Sequence, residues 1–190
     1  MKRRDAVRTL TDWDDRGHFV WTLGDLTALF PDDSSRSLEA SVSRLVDEEI
    51  LIRCCRGVYR TARARSRDAF LLQHVAVALR RGHYSYVSLE SALSMYGVIS
   101  QVPIGGLTVM TTGRRGWIDL DNGWIEFVHT ERSIPSILDG IADVGRPLRL
   151  ARVRTALEDQ RRVGRCLDLI DMEAFAEVEA EMEERRRAAA

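Results

Sequence analysis

Lysine is nearly missing from this 190-residue chain: Lys2 is the only one, so every other basic side chain is arginine. That removes the lysine-based chemistries. The segment Thr111-Thr112-Gly113-Arg114-Arg115-Gly116 has the look of a phosphate loop but lacks the Gly-Lys-Ser/Thr ending, and no Ser-x-x-Lys pattern or nucleophile elbow frames the serines around Ser85 to Ser94. Cysteine is scarce as well. Cys54, Cys55 and Cys166 form an odd set, and adjacent cysteines on a strand project to opposite faces, so reduced structural thiols are expected. His18, His74, His83 and His129 form no His-Glu-x-x-His or His-x3-His pairing, which leaves no metal and no cofactor to expect. No apolar run approaches the roughly twenty residues of a membrane span, and the N-terminus lacks the apolar core of a signal peptide, so a cytoplasmic protein is expected. With 45% hydrophobic and 30% charged residues the composition excludes wholesale disorder. No internal repeat is visible.

The most informative stretch is Ser34 to Thr61, SSRSLEASVSRLVDEEILIRCCRGVYRT. Leu38, Val42, Leu45 and Val46 recur at helical spacing, and Ser34-Ser35 offers a cap for the orphan amides. Rotation by about 100° per residue places Arg36, Ser37, Ala40, Ser43, Arg44 and Asp47 on the opposite face. That face is small and polar near its N-terminal end, as a helix entering a major groove requires. Beyond Glu49, Ile50 to Arg53 and Val58-Tyr59-Arg60 read as two short strands around an Arg56-Gly57 turn. Upstream come a basic amphipathic opening, an extended Phe19-Val20-Trp21, and a helix from Leu23 to Phe30, capped by Thr22 and ended by Pro31.

The pattern predicts a winged helix-turn-helix over residues 1–66, with Arg36, Ser37, Ser43 and Arg44 addressing the groove and Arg56 and Arg60 addressing phosphates or the adjacent minor groove. From Leu51 to Arg67 there are six arginines and no acidic residue, despite a formal net charge of -1. Genome composition accounts for arginine over lysine, but not for an acid-free window that coincides with the proposed wing.

The basic connector Thr61 to Arg67 marks the expected boundary, with a second domain at 67–190. There the sequence predicts a helix from Asp68 to Arg81 stopped by Gly82, an extended Tyr84 to Val87, and a serine-led helix from Ser88 to Gly97. Strands follow at 107–111, 117–120 and 124–129, the last two joined at Asp121-Asn122-Gly123. Then come a helix from Ser133-Ile134-Pro135, a strand at 147–150, a helix at 153–163, and an acidic last helix at 172–187 that turns basic at Arg185. The fold class expected is α+β: a winged helix-turn-helix followed by a mixed α/β domain with a small sheet and flanking helices.

No catalytic set is assembled. Asp119 and Asp121 sit at a turn without apolar surroundings to raise a pKa, so an enzyme is not expected. The exposed aromatic and basic residues that suit a protein interface are Tyr84, Tyr86, Arg114, Arg115 and His129.

Three segments of the second half, Tyr86-Val87-Ser88-Leu89-Glu90-Ser91-Ala92-Leu93-Ser94, Leu107-Thr108-Val109-Met110-Thr111-Thr112-Gly113 and Ile125-Glu126-Phe127-Val128-His129-Thr130, together resemble AbiEi-type antitoxins. The resemblance continues through Pro147-Leu148-Arg149-Leu150-Ala151 and the Ala156-Leu157-Glu158-Asp159 helix, and covers nearly the whole chain. Thr155 stands where many relatives carry arginine. The resemblance implies a bacterial toxin–antitoxin component of the kind used in phage defence. Its N-terminal domain would bind double-stranded operator DNA and repress its own operon, and its C-terminal domain would counteract a nucleotidyltransferase-like toxin. Such antitoxins need not hold the toxin in a stable complex. Winged-helix repressors commonly read inverted repeats as dimers or cooperative pairs, although no coiled-coil seam is visible here. The alternative reading is a ligand-responsive winged-helix regulator whose second domain binds a metabolite.

Overall fold

Hydroxyl caps set two helix starts in the N-terminal part of the chain. Thr22 Oγ1 accepts from the Asp25 amide at 3.0 Å while the Asp25 carboxylate takes the Thr22 amide at 2.8 Å, a reciprocal box that opens a helix at Leu23. Ser34 Oγ accepts from the Ser37 amide at 3.3 Å and opens the next. The computed structural model describes residues 1–100, 104–121 and 123–188. Its first unit, Met1–Arg81, runs α1 (Arg3–Asp14), β1 (Val20–Thr22), α2 (Leu23–Leu29), α3 (Ser35–Asp47), β2 (Leu51–Cys55), β3 (Val58–Thr61) and α4 (Leu71–Leu79). The strands form an antiparallel sheet in the order β1-β3-β2. Ala6, Leu10, Trp21, Leu26, Leu38, Val42, Leu45 and Leu51 make one buried cluster that joins the first three helices to the sheet. Each fully buried leucine there contributes about 1.5–3 kcal/mol relative to exposure.

The division between units falls after Arg81, later than the boundary expected at residue 66. The reason is α4, which packs on β1 and β3. Its His74 ring meets Phe19 edge-on at 4.8 Å and its Nε2 bonds Asp68 Oδ2 at 3.0 Å, a partnered histidine rather than a ligand. Arg81 forks onto both carboxylate oxygens of Asp25, which ties the end of this segment to the capping box of α2.

The second unit, Gly82–Ala190, carries β4 (Ser85–Val87), α5 (Leu89–Met95), β5 (Gly106–Thr111), β6 (Gly116–Leu120), β7 (Gly123–His129), α6 (Ile134–Gly140), β8 (Ile141–Ala142), β9 (Arg149–Ala151), α7 (Val153–Val163), a 3-10 turn at Leu167–Leu169, and α8 (Met172–Ala188). Six strands form a mixed sheet in the order β6-β7-β5-β4-β9-β8, with β5–β7 and β4–β9 parallel. The Leu120↔Gly123 pairing shows the expected hairpin, whose Asn122 lies outside the described residues. The Gly113 to Gly116 segment does not join neighbouring strands: it leads from β5 to β6, and β7 lies between them. The molecule is thus α+β, two sheets with flanking helices.

Candidate nucleic-acid interface

Helix α3 divides its residues between two environments. Leu38, Val42 and Leu45 are buried, while Arg36, Ser37, Ala40, Ser43, Arg44 and Asp47 are exposed, so the polar face predicted by helical rotation is the solvent face. Two of its members already have partners. The Ser37 hydroxyl donates to Asp33 Oδ1 at 3.2 Å, and the same oxygen holds the Met1 ammonium at 2.6 Å, which keeps Asp33 below the usual carboxylate range. Arg44 Nη2 donates to the buried Ser41 Oγ at 3.0 Å, leaving most of its donors unused.

On the β2–β3 ribbon, Arg53 and Arg56 are exposed. Gly57 forms the tip at a φ of 77°, a conformation that costs glycine nothing, and its carbonyl accepts from the Leu23 amide at 3.0 Å, so the tip is tied to the start of α2. Arg60 departs from expectation. It is only 8% exposed, and its Nη1 donates to Ala62 O at 3.4 Å. It lies in the central strand, paired to Val20 on one side and Ile52 on the other, and α4, which the sequence assigned to the next domain, packs on that strand. Arg60 is therefore a structural residue and leaves the phosphate-contact set.

The connector after β3 is held by one carboxylate. Buried Asp14, at the end of α1, accepts from the amides of Arg65 at 2.7 Å and Ser66 at 3.1 Å and from the Ser66 hydroxyl. Burial alone would raise its pKa; the hydrogen bonds overcome that and hold it below the usual range. The clamp fixes the backbone of a segment whose Arg63, Arg65 and Arg67 side chains are exposed. Among the described residues, Arg36, Arg44, Arg53, Arg56, Arg63 and Arg67 form no salt bridge, whereas Arg3 pairs with Glu48, Arg8 with Asp5 and Arg81 with Asp25. Within the first unit, most of the exposed guanidinium groups without a salt bridge lie on α3, the ribbon and the connector, Arg4 and Arg16 being the others. Such a surface attracts phosphates, and arginine supplies bidentate geometry for them.

The residues nominated for a protein partner fare unequally. Tyr84 is 41% exposed, and Arg114, Arg115 and His129 are exposed, with His129 Nδ1 at 2.9 Å from Gly113 O. Tyr86 is fully buried and cannot meet a partner; its hydroxyl donates to Asp159 Oδ2 at 3.0 Å, and burial together with that carboxylate pushes its pKa far up. The sequence pattern hid this because a three-residue strand gives no clue to which face is covered.

Asp159 organises a polar centre that sequence reasoning missed. It is fully buried on α7 and accepts from Tyr86, from Ser88 Oγ at 2.8 Å and from Arg132 Nε at 3.0 Å, while Arg132 Nη2 reaches Glu158 at 2.9 Å. Ser88 was expected to cap α5; its side chain makes no cap bond and serves Asp159 instead. The only sequence signal was the acidic residue inside the buried stripe of the Ala-Leu-x-Asp run. A second cluster lies nearby in sequence: Arg165 forks onto both Glu90 and Glu126 at 2.6–3.1 Å. Burial would raise Glu90, but bonds from Arg165 and Gln160 keep it low. Both clusters are held by internal partners, yet Arg132 and Glu158 also line a surface cavity with Arg152 and Arg154, Glu126 lines another, and among the described residues Gln160 Oε1, whose Nε2 bonds Glu90, is buried without a hydrogen-bond partner. Burial raises the thiols of Cys55 and Cys166 above their ordinary range, which disfavours nucleophilic thiolates. Among the described residues no three metal-ligating side chains converge, and no helix is long and apolar enough to cross a membrane.

No family model and no curated protein matches the chain. Among solved structures it is similar to the Rv2827c protein from Mycobacterium tuberculosis, with 17% identity and a TM-score of 0.50 over 93% of this chain and 56% of that one. The chain thus spans a little over half the length of that structure, and the likeness is one of fold alone.

Proposed function

We propose that the first unit is a winged-helix DNA-binding domain and that the protein is an autorepressing antitoxin. The reading is supported by the element order helix, strand, helix, helix, strand, strand and by the sheet order β1-β3-β2, which leave α3 to address a groove and the β2–β3 ribbon to serve as a wing. The observation that carries the reading is the set of exposed arginines without salt bridges on α3, the ribbon and the connector. Arg36, Ser43 and Arg44 address base edges and phosphates, with Ser37 shared with Asp33; Arg53 and Arg56 address the backbone beside the groove. The test is retention of the duplex upstream of its own gene in a gel shift with the full chain. Arg36→Glu combined with Arg44→Glu should abolish retention at moderate salt, and unchanged retention would remove the groove assignment.

The antitoxin half rests on the AbiEi resemblance. Its motifs fall on β4, α5, β5, β7, β9 and α7, and the four strands are successive neighbours in the sheet in the order β7-β5-β4-β9. They describe the core of the second unit, so contact with a nucleotidyltransferase-like toxin belongs to the exposed Tyr84, Arg114, Arg115 and His129. Growth arrest by the product of the adjacent gene, relieved by co-expression of the full chain, is the expected outcome. Arrest that persists would contradict the antitoxin role.

A further inference from the structure

Strand β6 is an edge of the six-stranded sheet: β7 pairs with one side, and no strand among the described residues lies on the other. Two residues separate the closing pair Leu120↔Gly123, so that pair and, alternately, Ile118↔Ile125 and Gly116↔Phe127 are the hydrogen-bonded ones. Trp117 and Asp119 consequently turn their backbone N–H and C=O groups toward the open edge. Natural edges are usually blunted by proline, by bulges or by an inward-pointing charge. The pairing of β6 is regular from Gly116 to Leu120, it contains no proline, and its one charged residue, Asp119, is exposed rather than inward.

The charges flanking this edge are self-complementary. Reading Arg114-Arg115-Gly116-Trp117-Ile118-Asp119-Leu120-Asp121, cations precede the strand and anions occupy its end. If two copies pair antiparallel about Ile118, Trp117 of each lies opposite Asp119 of the other, and Arg115 of each lies opposite Asp121 of the other. The first pair joins outward-facing backbone groups, while Arg115 just before the strand and Asp121 in the turn just after it bring opposite charges to the two ends of the contact. Pairing about Trp117 would set Arg115 against Asp119 but leave Asp121 unmatched, pairing about Asp119 would set the two Asp119 side chains against each other, and a parallel arrangement would set like charges together. The side chains of Trp117 and Asp119 share one face of the strand. There Trp117 is 51% exposed, stacks on Trp124 at 4.3 Å, and donates from Nε1 to Asp119 at 2.7 Å. In the paired edge the two copies of Trp117 become diagonal neighbours, within reach of aromatic rings.

We propose that the open edge of β6 is the docking surface for a second copy of this chain, giving a two-fold dimer whose sheets are continuous through Trp117, Ile118 and Asp119. An isologous contact of this kind is what a two-fold axis demands, since the same patch serves both partners. The proposal is independent of the DNA reading and stands or falls on the protein alone. Arg115 and Asp121 are exposed and, among the described residues, form no salt bridge, so their replacement breaks no internal ion pair.

The experiment is sedimentation velocity on the full chain, with tryptophan emission as a second readout. Wild type should show a concentration-dependent dimer, with a blue shift as Trp117 is covered. Arg115→Asp and Asp121→Arg should each be monomeric, because each sets two like charges against each other at both ends of the contact. An equimolar mixture of these two variants should recover the dimer, since every cross-strand pair is then opposite in charge. Recovery on mixing also shows that the single variants are folded. A wild type that stays monomeric at its highest soluble concentration, a dimer unaffected by either variant, or a mixture that fails to associate would each overturn the proposal.

Discussion

At the residue scale, two buried aspartates do opposite kinds of work from the exposed arginines. Asp159 accepts from Tyr86, Ser88 and Arg132, and these bonds join β4, the start of α5 and the segment before α6 to α7. Leu89, next to Ser88, is fully buried at a φ of 56°, a left-handed conformation that costs a non-glycine residue about 1–3 kcal/mol. The Asp159–Ser88 bond helps hold it there, along with Thr108 Oγ1 donating to Ser88 O at 2.7 Å. Asp159→Ala would leave the Arg132 guanidinium without its buried partner, and urea unfolding should show a loss of roughly 3–5 kcal/mol. A loss under about 1 kcal/mol would mean that the network is not a strut.

Asp14 supplies a pH dependence. Because its folded pKa lies below that of an unfolded aspartate, the stability it confers is complete above the unfolded value and is lost as pH falls through the depressed folded one. Acid titration of thermal stability should therefore decline below about pH 4, and Asp14→Asn should be less stable at neutral pH with a flatter acid limb. An acid limb unchanged by the substitution would contradict this.

At the scale of elements, helices α2, α3, α7 and α8 and the principal strands were legible because each carries its own signal: a hydroxyl cap, a 3.6-residue stripe, or a short β-branched run bounded by glycine. What could not be read depends on which elements meet. Arg60 alternates like an exposed ribbon residue, and only the flanking of β3 by β1 and β2 and the packing of α4 bury it. Ser88 looks like a cap, yet a carboxylate 71 residues away takes its hydroxyl. The two-residue β8 has no sequence signal of its own, since it exists by pairing with β9. Acidic α8 is tied to α7 by Arg154, which bonds Glu179 at 2.6 Å and approaches Glu183 at 3.8 Å, so part of its negative face is neutralised internally. A Cβ at Gly106 would fall 2.1 Å from the Trp124 ring, itself stacked on Trp117. Gly106→Ala should destabilise by about 1–3 kcal/mol and shift tryptophan emission by displacing that stack. Wild-type emission and stability would refute the packing described.

At the scale of the whole molecule, a formal charge of -1 conceals an uneven distribution. Carboxylates take up Arg3, Arg8 and Arg81 in the first unit and Arg132, Arg154 and Arg165 in the second, whereas among the described residues Arg36, Arg44, Arg53, Arg56, Arg63, Arg65 and Arg67 stay exposed without a salt bridge, as do Arg4, Arg16, Arg115, Arg149, Arg161 and Arg162 elsewhere. Exposed cations gathered on a helix and ribbon support the proposed contact with a polyanion, and they are legible in the sequence because the acid-free window from Leu51 to Arg67 is local. The polar centre around Asp159 was invisible for the opposite reason: its members lie as far apart as Tyr86 and Asp159 and share no motif.

DNA binding by these arginines remains the proposal on which the autorepressor reading depends. Its most direct test is fluorescence anisotropy of the upstream duplex titrated with full-length protein across a range of salt concentrations. The wild type should lose affinity steeply and linearly on a log–log plot, and Arg53→Ala and Arg56→Ala should each lower the slope by about one while Arg60→Ala leaves it unchanged. Absence of binding at low salt, or slopes indifferent to Arg53 and Arg56, would contradict the account.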